Sequence, residues 1–144
     1  MFVSPLQGKI LPLLQVNDDV FSQELLGPGF ALLPTIGVQT IYSPIAGTLV
    51  RVMPHAFAVS GELDVLVHLG LNTVKQQQHF TAIATQGDIV EGGAPVCTWN
   101  ITQAQTARID PICPVVFMSG RTTVLDAILA KLDTTVSAKQ VLAP

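Results

Sequence analysis

Two histidines, His55 and His68, are the residues of this chain best suited to chemistry. The imidazole pKa is about 6.5, so near neutral pH one ring nitrogen has a free electron pair that can attack phosphorus or bind a metal ion. A second imidazole nearby can donate an N–H to the oxygens of an incoming phosphoryl group. The pair therefore suggests phosphoryl transfer, zinc binding or two ordinary half-buried sheet residues.

The segment between the histidines has the pattern of a β-hairpin. Two apolar runs, residues 55–59 and 63–69, enclose Ser-Gly-Glu. Glycine accepts the positive φ at the first position of a two-residue type II′ turn, which predicts Gly61 and Glu62 as the turn. In that register His55 lies opposite His68, with Cβ atoms about 4.5–5.5 Å apart, and Phe57 shares their face.

A zinc site would need more ligands than these two imidazoles. The chain has no His-x-His pair, and Cys97 and Cys113 lie in apolar runs that predict small core residues. His79 is expected at the surface. We therefore expect no cofactor, with zinc at His55 and His68 as the alternative. A lipoyl or biotin carrier has no support, because no lysine follows Met or Asp at a hairpin tip.

The composition predicts one globular domain over residues 1–144, since 49% of the residues are hydrophobic and only 12% are charged. The net charge of −3 without a basic cluster gives no support for nucleic-acid binding. No apolar run approaches the length of a membrane span, and the N-terminal residues do not resemble a signal peptide. We expect a cytoplasmic location.

The order of short apolar runs predicts an all-β domain with short helical turns, because Val, Ile and Thr recur between glycines and prolines. Besides the hairpin, strands are expected near residues 30–33, 38–42, 47–52, 79–84, 94–98, 113–117 and 141. Helical stretches are expected at 17–26, 102–109 and 124–132. The first would be capped by Asp18 or Asp19, with Phe21, Leu25 and Leu26 on one face.

Two segments of the chain resemble each other. Residues 3–10 read VSPLQGKI and residues 42–49 read YSPIAGTL. Each places Ser-Pro and a glycine around a tight turn before an alternating strand. This echo predicts a duplicated β-unit, the alternative being a common turn that arose twice.

Several motifs in order resemble the glucose-type enzyme IIA of the bacterial sugar phosphotransferase system. They are YSPIAGTL at 42–49, PHAF at 54–57, VHLGLNTV at 67–74, SPLQG at 4–8, GDIV at 87–90 and CPVV at 113–116. The sequence around PHAF is most similar to the corresponding segment of actinobacterial members. The resemblance extends over nearly the whole chain.

The resemblance implies a duplicated-hybrid-motif β-sandwich or barrel and a phosphocarrier function. His68 would accept a phosphoryl group from the phosphohistidine of HPr and pass it to a cysteine of the enzyme IIB domain of a sugar permease. His55 would support the phosphoryl group. The alternatives are a non-catalytic regulator that binds partner proteins and, behind it, a zinc-binding hydrolase-like protein.

The resemblance also implies a docking surface around the histidines. Phe21, Leu25, Leu26, Met53 and Phe57 match or nearly match the family's apolar ring, and Leu69 and Asn72 follow the active histidine. Two of the four departures from the family concern positions close to the histidines in the sequence. Asn72 stands where Asp is usual, and Met53-Pro54 replaces a stretch that often contains a hydrogen-bonding Thr.

Overall fold

The computed structural model describes residues 1–144, which form thirteen strands and three short helices. The strands are β1 (Phe2–Val3), β2 (Gly8–Pro12), β3 (Gly29–Pro34), β4 (Val38–Tyr42), β5 (Gly47–Met53), β6 (Ala56–Ser60), β7 (Asp64–His68), β8 (Phe80–Ala82), β9 (Ile89–Val90), β10 (Pro95–Asn100), β11 (Cys113–Phe117), β12 (Thr135–Val136) and β13 (Val141–Ala143). The helices are α1 (Asp19–Ser22), α2 (Ile101–Thr106) and α3 (Thr123–Leu129), and 3-10 turns lie at Leu13–Gln15, Thr73–Lys75 and Gln77–His79.

The strands form one large and two small antiparallel sheets that do not close into a barrel. The eight-stranded sheet has the order β12-β2-β3-β11-β7-β6-β5-β9, and the small sheets are β4-β10-β8 and β1-β13. One core cluster of 26 buried residues draws side chains from all three sheets and from α3, so it lies between them. This confirms the predicted all-β, sandwich-like fold. No helix is long and apolar enough to span a membrane.

The two echoed segments adopt the same local structure. The Ser4 hydroxyl donates a hydrogen bond of 2.6 Å to the Leu6 carbonyl, and the Ser43 hydroxyl donates one of 2.7 Å to the Ile45 carbonyl. Both serines are fully buried. Each hydroxyl thus satisfies a carbonyl inside its own Ser-Pro turn, as buried polar groups require.

The two turns also bond to each other reciprocally. The Val3 N–H donates to the Pro44 carbonyl at 2.9 Å, and the Tyr42 N–H donates to the Pro5 carbonyl at 2.9 Å. Because Val3 corresponds to Tyr42 and Pro5 to Pro44 in the two segments, this exchange has two-fold pseudosymmetry. The duplication predicted from the sequence is a structural repeat.

The repeat extends to the strands that follow each turn. Gly8 pairs with Val136 as Gly47 pairs with Val90. A Cβ atom on Gly8 would lie 2.5 Å from the Leu33 carbonyl oxygen, and one on Gly47 would clash with the backbone of β6. Glycine is required at both places by close backbone approach. The first repeat comprises β1, β2, β3, β11, β12 and β13, and the second comprises β4, β5, β6, β7, β9 and β10.

The repeats differ most in the connection between their second and third strands. In the second repeat, residues 54–55 join β5 to β6. In the first repeat, residues 13–28 join β2 to β3, and we call this segment the long connection. It contributes to a smaller apolar cluster that is separate from the main core and consists of Leu11, Leu13, Val16, Phe21, Ala31, Leu71, Ile112 and Val116.

Most strands and helices expected from the sequence are present, and the strands that were not expected are short. Strands β4 and β11 have the expected bounds, whereas β1, β9 and β12 have two residues each and no visible alternation. The helix expected over 17–26 ends at Ser22, and Glu24 has a left-handed φ of 57°. Asp18 is its cap, accepting a 2.9 Å bond from the Val20 N–H.

Candidate functional site

The His68 ring is held by a backbone acceptor beyond the end of β7. Its Nδ1 lies 2.7 Å from the Gly70 carbonyl oxygen. A carbonyl can only accept a hydrogen bond, so Nδ1 carries the proton and donates it. In the neutral ring the free electron pair is therefore on Nε2. The fold thus holds the neutral His68 ring in one tautomer, with Nε2 unprotonated.

The loop that supplies this carbonyl is tightly constrained. Gly70 has a φ of +77°, and a Cβ there would lie 2.7 Å from Thr73 Cγ2. The Thr73 hydroxyl donates to the Leu69 carbonyl at 2.6 Å, and the Leu71 N–H donates to the Asp110 carbonyl at 2.9 Å. The carbonyl that orients His68 is consequently fixed from both sides of Gly70.

His55 lies beside His68, although not in the expected register. Ala56 pairs with His68, and Phe57 pairs with Val67. His55 is in the short turn before β6, where its carbonyl accepts a 2.7 Å bond from the Leu69 N–H. From there its ring reaches the His68 ring, with centroids 5.2 Å apart and planes 76° apart. The predicted opposition was wrong by one residue, yet the rings are adjacent.

The register differs because the hairpin turn has one more residue than predicted. Ser60 pairs with Asp64, and the Gly61 N–H donates to the Leu63 carbonyl at 2.9 Å, so residues 61–63 form the turn. Gly61 does not use a positive φ. Its Cβ would clash with the Ala46 carbonyl, so glycine is required for close approach instead.

Burial keeps both rings neutral near pH 7. Desolvation lowers the pKa of His55, and the neighbouring His68 lowers it further. Desolvation also lowers the pKa of His68, partly opposed by the Gly70 hydrogen bond and the charge of Asp18. Low pKa values favour the unprotonated rings that nucleophilic attack needs.

The Nδ1 atom of His55 is buried and has no hydrogen-bond partner. The sequence shows Met53-Pro54 just before His55, where the family often has a hydrogen-bonding Thr. Neither Met53 nor Pro54 has a hydroxyl to offer. The expected change in the proton network around His55 therefore agrees with this unpartnered nitrogen.

The long connection covers His68 with an aromatic ring and brings a negative charge near it. The Phe21 ring centroid lies 5.2 Å from that of His68. Asp18, the cap of α1, is close enough to raise the pKa of His68. We expected Asp18 only as a cap. Its second role depends on how the long connection folds over the sheet, for which the sequence has no local signal.

The remaining surroundings divide into exposed and buried residues. Leu25 and Leu26 are 69% and 44% exposed, and Met53 is partly exposed at the end of β5. Asn72 is exposed with a left-handed φ of 59°, a conformation that Asn tolerates better than most residues. These four side chains are accessible to a partner.

Phe57 and Leu69 do not belong to the predicted docking surface. Phe57 is 1% exposed and Leu69 is fully buried, both in the main core. Successive side chains of a strand alternate between faces, so the one-residue change of register turns Phe57 away from the His68 face. Both predictions are corrected to core residues.

The other sulfur and imidazole groups lie in the interior. Cys97 and Cys113 are buried free thiols, as expected, and burial raises the pKa of Cys97 to about 12. His79 was expected at the surface but is buried, because the 3-10 turn Gln77–His79 directs it inward just before Phe80. The Phe80 ring stacks on Trp99.

The histidine pair has fewer ligands than a resident zinc ion uses. Structural and catalytic zinc sites use three or four protein ligands. No group of three or more His, Cys, Asp or Glu side chains is placed to hold a metal. His55 and His68 would supply two ligands.

The sequence of the chain matches a protein family over most of its length. The model of the family described as phosphoenolpyruvate-dependent sugar phosphotransferase system, EIIA 1, matches residues 1–123. The chain belongs to this family. It is an EIIA component of that phosphotransferase system, as the motifs around His55 and His68 predicted.

Individual relatives agree with this assignment. The glucose-specific EIIA component of Oceanobacillus iheyensis is 35% identical over 119 residues, which cover 79% of this chain and 71% of that protein. The β-glucoside-specific EIIBCA component of Bacillus subtilis is 36% identical over 118 residues, covering 78% of this chain and 19% of that protein. The chain thus spans about a fifth of the length of such multidomain relatives.

A solved structure supports the fold. Glucose permease IIA from Mycoplasma capricolum superposes with a TM-score of 0.74 and 30% sequence identity, covering 81% of this chain and 78% of that one. The likeness extends the agreement from sequence motifs to the β-sandwich architecture.

Proposed function

We propose that His68 is the phosphohistidine of this EIIA component. Its Nε2 attacks the phosphorus of the phosphohistidine of HPr, so that a new N–P bond forms while the N–P bond of HPr breaks and its electron pair returns to the HPr imidazole. A cysteine thiolate of an enzyme IIB domain then attacks the same phosphorus. The S–P bond forms, the P–Nε2 bond breaks, and His68 is restored.

The observation that carries the proposal is the hydrogen bond from His68 Nδ1 to the Gly70 carbonyl. It places the free electron pair on Nε2 and holds the ring against rotation. Phosphoryl transfer depends mostly on positioning and charge stabilisation, so a pre-oriented imidazole needs little more from the protein.

His55 is proposed to support the phosphoryl group. Its buried nitrogen is Nδ1, which leaves Nε2 to donate an N–H to a phosphoryl oxygen next to His68. His68 lowers the pKa of His55 in the free protein. A phosphoryl group would bring negative charge to the same place and would favour a charged His55.

The partners are proposed from chemistry and from the relatives. Several of the relatives are EIIBCA or EIICBA components, in which EIIA and EIIB belong to one protein. Leu25 and Leu26, in the long connection that carries Phe21 to His68, are exposed apolar residues, and Met53 is partly exposed opposite Ala56, the strand partner of His68. A transient interface of this kind, apolar around a polar centre, suits a partner that docks, transfers the group and leaves.

The proposal is tested by phosphorylation from phosphoenolpyruvate with enzyme I and HPr. The wild-type chain should take up one phosphoryl group at His68, and His68→Gln should take up none. His55→Gln should accept the group but transfer it poorly to a IIB domain. Phosphate on His68→Gln, or an unlabelled wild-type chain, would refute the carrier function and favour a purely regulatory protein.

A further inference from the structure

Gly70 joins two peptide units, and the unit after it orients His68. That unit contains the Gly70 carbonyl and the Leu71 N–H. The carbonyl lies 2.7 Å from Nδ1 of His68, and the N–H donates to the Asp110 carbonyl at 2.9 Å. This peptide unit is therefore held at both of its polar edges.

The peptide unit before Gly70 is held by side chains. Its carbonyl, that of Leu69, accepts a 2.6 Å bond from the Thr73 hydroxyl. Its N–H, that of Gly70, makes no hydrogen bond to an oxygen atom. The Gly70 N–H points instead at the sulfur of Cys113, closely enough to lower the pKa of that thiol.

The strand register explains why Cys113 is at this place. Strand β11 pairs with β7 through Val115 and Val67. Continuing this register by two residues places Cys113, the first residue of β11, beside Leu69 and next to Gly70. Cys113 is fully buried, so its sulfur, and not bulk water, is the partner available to the Gly70 N–H.

The thiol of Cys113 can act as donor and acceptor at the same time. Its S–H donates to the Pro111 carbonyl, with Sγ 3.2 Å from the oxygen. A thiol is a weak donor and its sulfur a weak acceptor, so the electron pairs stay free for an N–H. Burial raises the pKa of Cys113, which keeps the proton on the sulfur near neutral pH.

We propose that Cys113 is a positioning residue for His68. Its sulfur accepts a hydrogen bond from the Gly70 N–H and holds the peptide unit before Gly70. The Gly70 carbonyl thereby stays directed at Nδ1 of His68. The consequence for phosphoryl transfer rests on the proposed function of His68, whereas the positioning itself does not.

Gly70 needs this support because it has no side chain of its own to restrict it. Glycine rotates more freely about φ and ψ than any other residue. A stiffer residue does not fit, since φ is +77° and a Cβ would lie 2.7 Å from Thr73 Cγ2 and 3.1 Å from the Asp110 carbonyl oxygen. The rigidity of the loop must therefore come from hydrogen bonds on both peptide units.

The position of the Gly70 carbonyl decides which His68 nitrogen is reactive. While the carbonyl accepts the proton on Nδ1, the free electron pair is on Nε2. If the carbonyl turns away, the tautomer with the proton on Nε2 becomes populated. That tautomer cannot attack phosphorus through Nε2, so a loosened loop lowers the reactive fraction of His68.

Four variants separate this role from ordinary packing. Cys113→Ala removes the acceptor, and Cys113→Val fills the space without an acceptor and serves if the alanine variant does not fold. Cys113→Ser keeps a donor and an acceptor at nearly the same place. Cys97→Ala is the matched control, because Cys97 is also a buried free thiol of the main core.

The first measurement is ¹⁵N NMR of the whole chain with labelled histidine, at a pH where both rings are neutral. Separate signals for protonated and unprotonated ring nitrogens report the tautomer. We expect His68 to carry its proton on Nδ1 in the wild type, Cys97→Ala and Cys113→Ser, and to show both tautomers in Cys113→Ala and Cys113→Val. The Gly70 amide should exchange its hydrogen about fivefold faster in the last two, as the loss of one hydrogen bond predicts.

The second measurement is the rate of phosphorylation by phospho-HPr. Cys113→Ala and Cys113→Val should be about fivefold slower than the wild type, Cys113→Ser close to it, and Cys97→Ala unchanged. A folded Cys113→Ala or Cys113→Val chain with the wild-type tautomer and Gly70 exchange would overturn the positioning role, as would an equal slowing in Cys97→Ala. A wild-type chain that takes up no phosphate would refute the proposed function instead, and the tautomer measurement would still decide the role of Cys113.

Discussion

The two repeats share a backbone plan, but only the second carries the reactive pair. Leu33 and Ser60 correspond, and counting back equally along β3 and β6 makes Gly29 the equivalent of Ala56. Gly29 pairs with Val116, and Ala56 pairs with His68. Val116 therefore takes the place of His68 in the first repeat.

The same count places Pro28 at the position of His55. The first repeat thus has a proline and a valine where the second has two imidazoles. It contributes to the site differently, through the long connection that carries Asp18 and Phe21 over His68. The two repeats therefore share a scaffold but contribute differently to the site, the second through its two imidazoles and the first through the segment that covers them.

The largest effects are expected when each of the two equivalent residues, His68 and Val116, is replaced by the residue type of the other. His68→Val should abolish phosphorylation while the chain stays folded, because the equivalent valine is accommodated in the first repeat. Val116→His should not create a second acceptor. It places an imidazole in the smaller apolar cluster and should cost about 2–4 kcal/mol of the free energy of unfolding. Phosphate on Val116→His at the new residue would contradict the assigned roles.

A substitution in the loop after His68 should have nearly as large an effect on stability and phosphorylation. Gly70→Ala forces a left-handed φ on alanine and a clash with Thr73, and should cost about 2–4 kcal/mol by urea unfolding. It should also slow phosphorylation, because the carbonyl that fixes the His68 tautomer moves. Gly87→Ala is the control, since Gly87 has a φ of +96° with open space around it. It should cost about 1–2 kcal/mol from backbone strain alone, with phosphorylation unchanged.

The buried imidazoles should make stability depend on pH. The folded pKa values of His55 and His68 are lowered, so above the unfolded pKa of about 6.5 neither state binds protons at these rings. As the pH falls below that value, the unfolded chain binds protons that the folded chain does not, and the free energy of unfolding decreases.

Urea unfolding between about pH 7 and pH 5 measures this effect. A chain with both His55→Gln and His68→Gln should lose less stability over that range than the wild type. Equal pH dependence of the two chains would show that the pair is not the source.

The smallest expected effect concerns the Gln39 side chain on strand β4, which bonds to the backbone beside the Ser4-Pro5 turn. Gln39→Ala removes three hydrogen bonds to the backbone of Gln7 and Thr35 and should cost about 1 kcal/mol, since water can replace them at the surface. Gln7→Ala, whose side chain makes only a 3.5 Å contact, is the control and should change the free energy of unfolding by less. Equal effects would mean that the Gln39 carboxamide is not a stabilising link.

Much of this molecule followed from local sequence. The Ser-Pro and glycine pattern predicted the repeat because a turn that needs a buried hydroxyl and a close backbone contact allows few other residues. Alternation and apolar runs located most strands, and the motifs around His55 and His68 predicted the family. These features depend on residues that are close together in the chain, so they can be recognised from the sequence.

Only the tertiary structure decided the contacts between distant segments. The hairpin register depended on a turn of three residues instead of two, which placed Phe57 in the core instead of at the surface. Asp18 and Phe21 reach His68 because the long connection folds across the sheet. The sequence determined which residues could react. Packing between the two repeats determined what surrounds them, because those contacts join residues far apart in the chain.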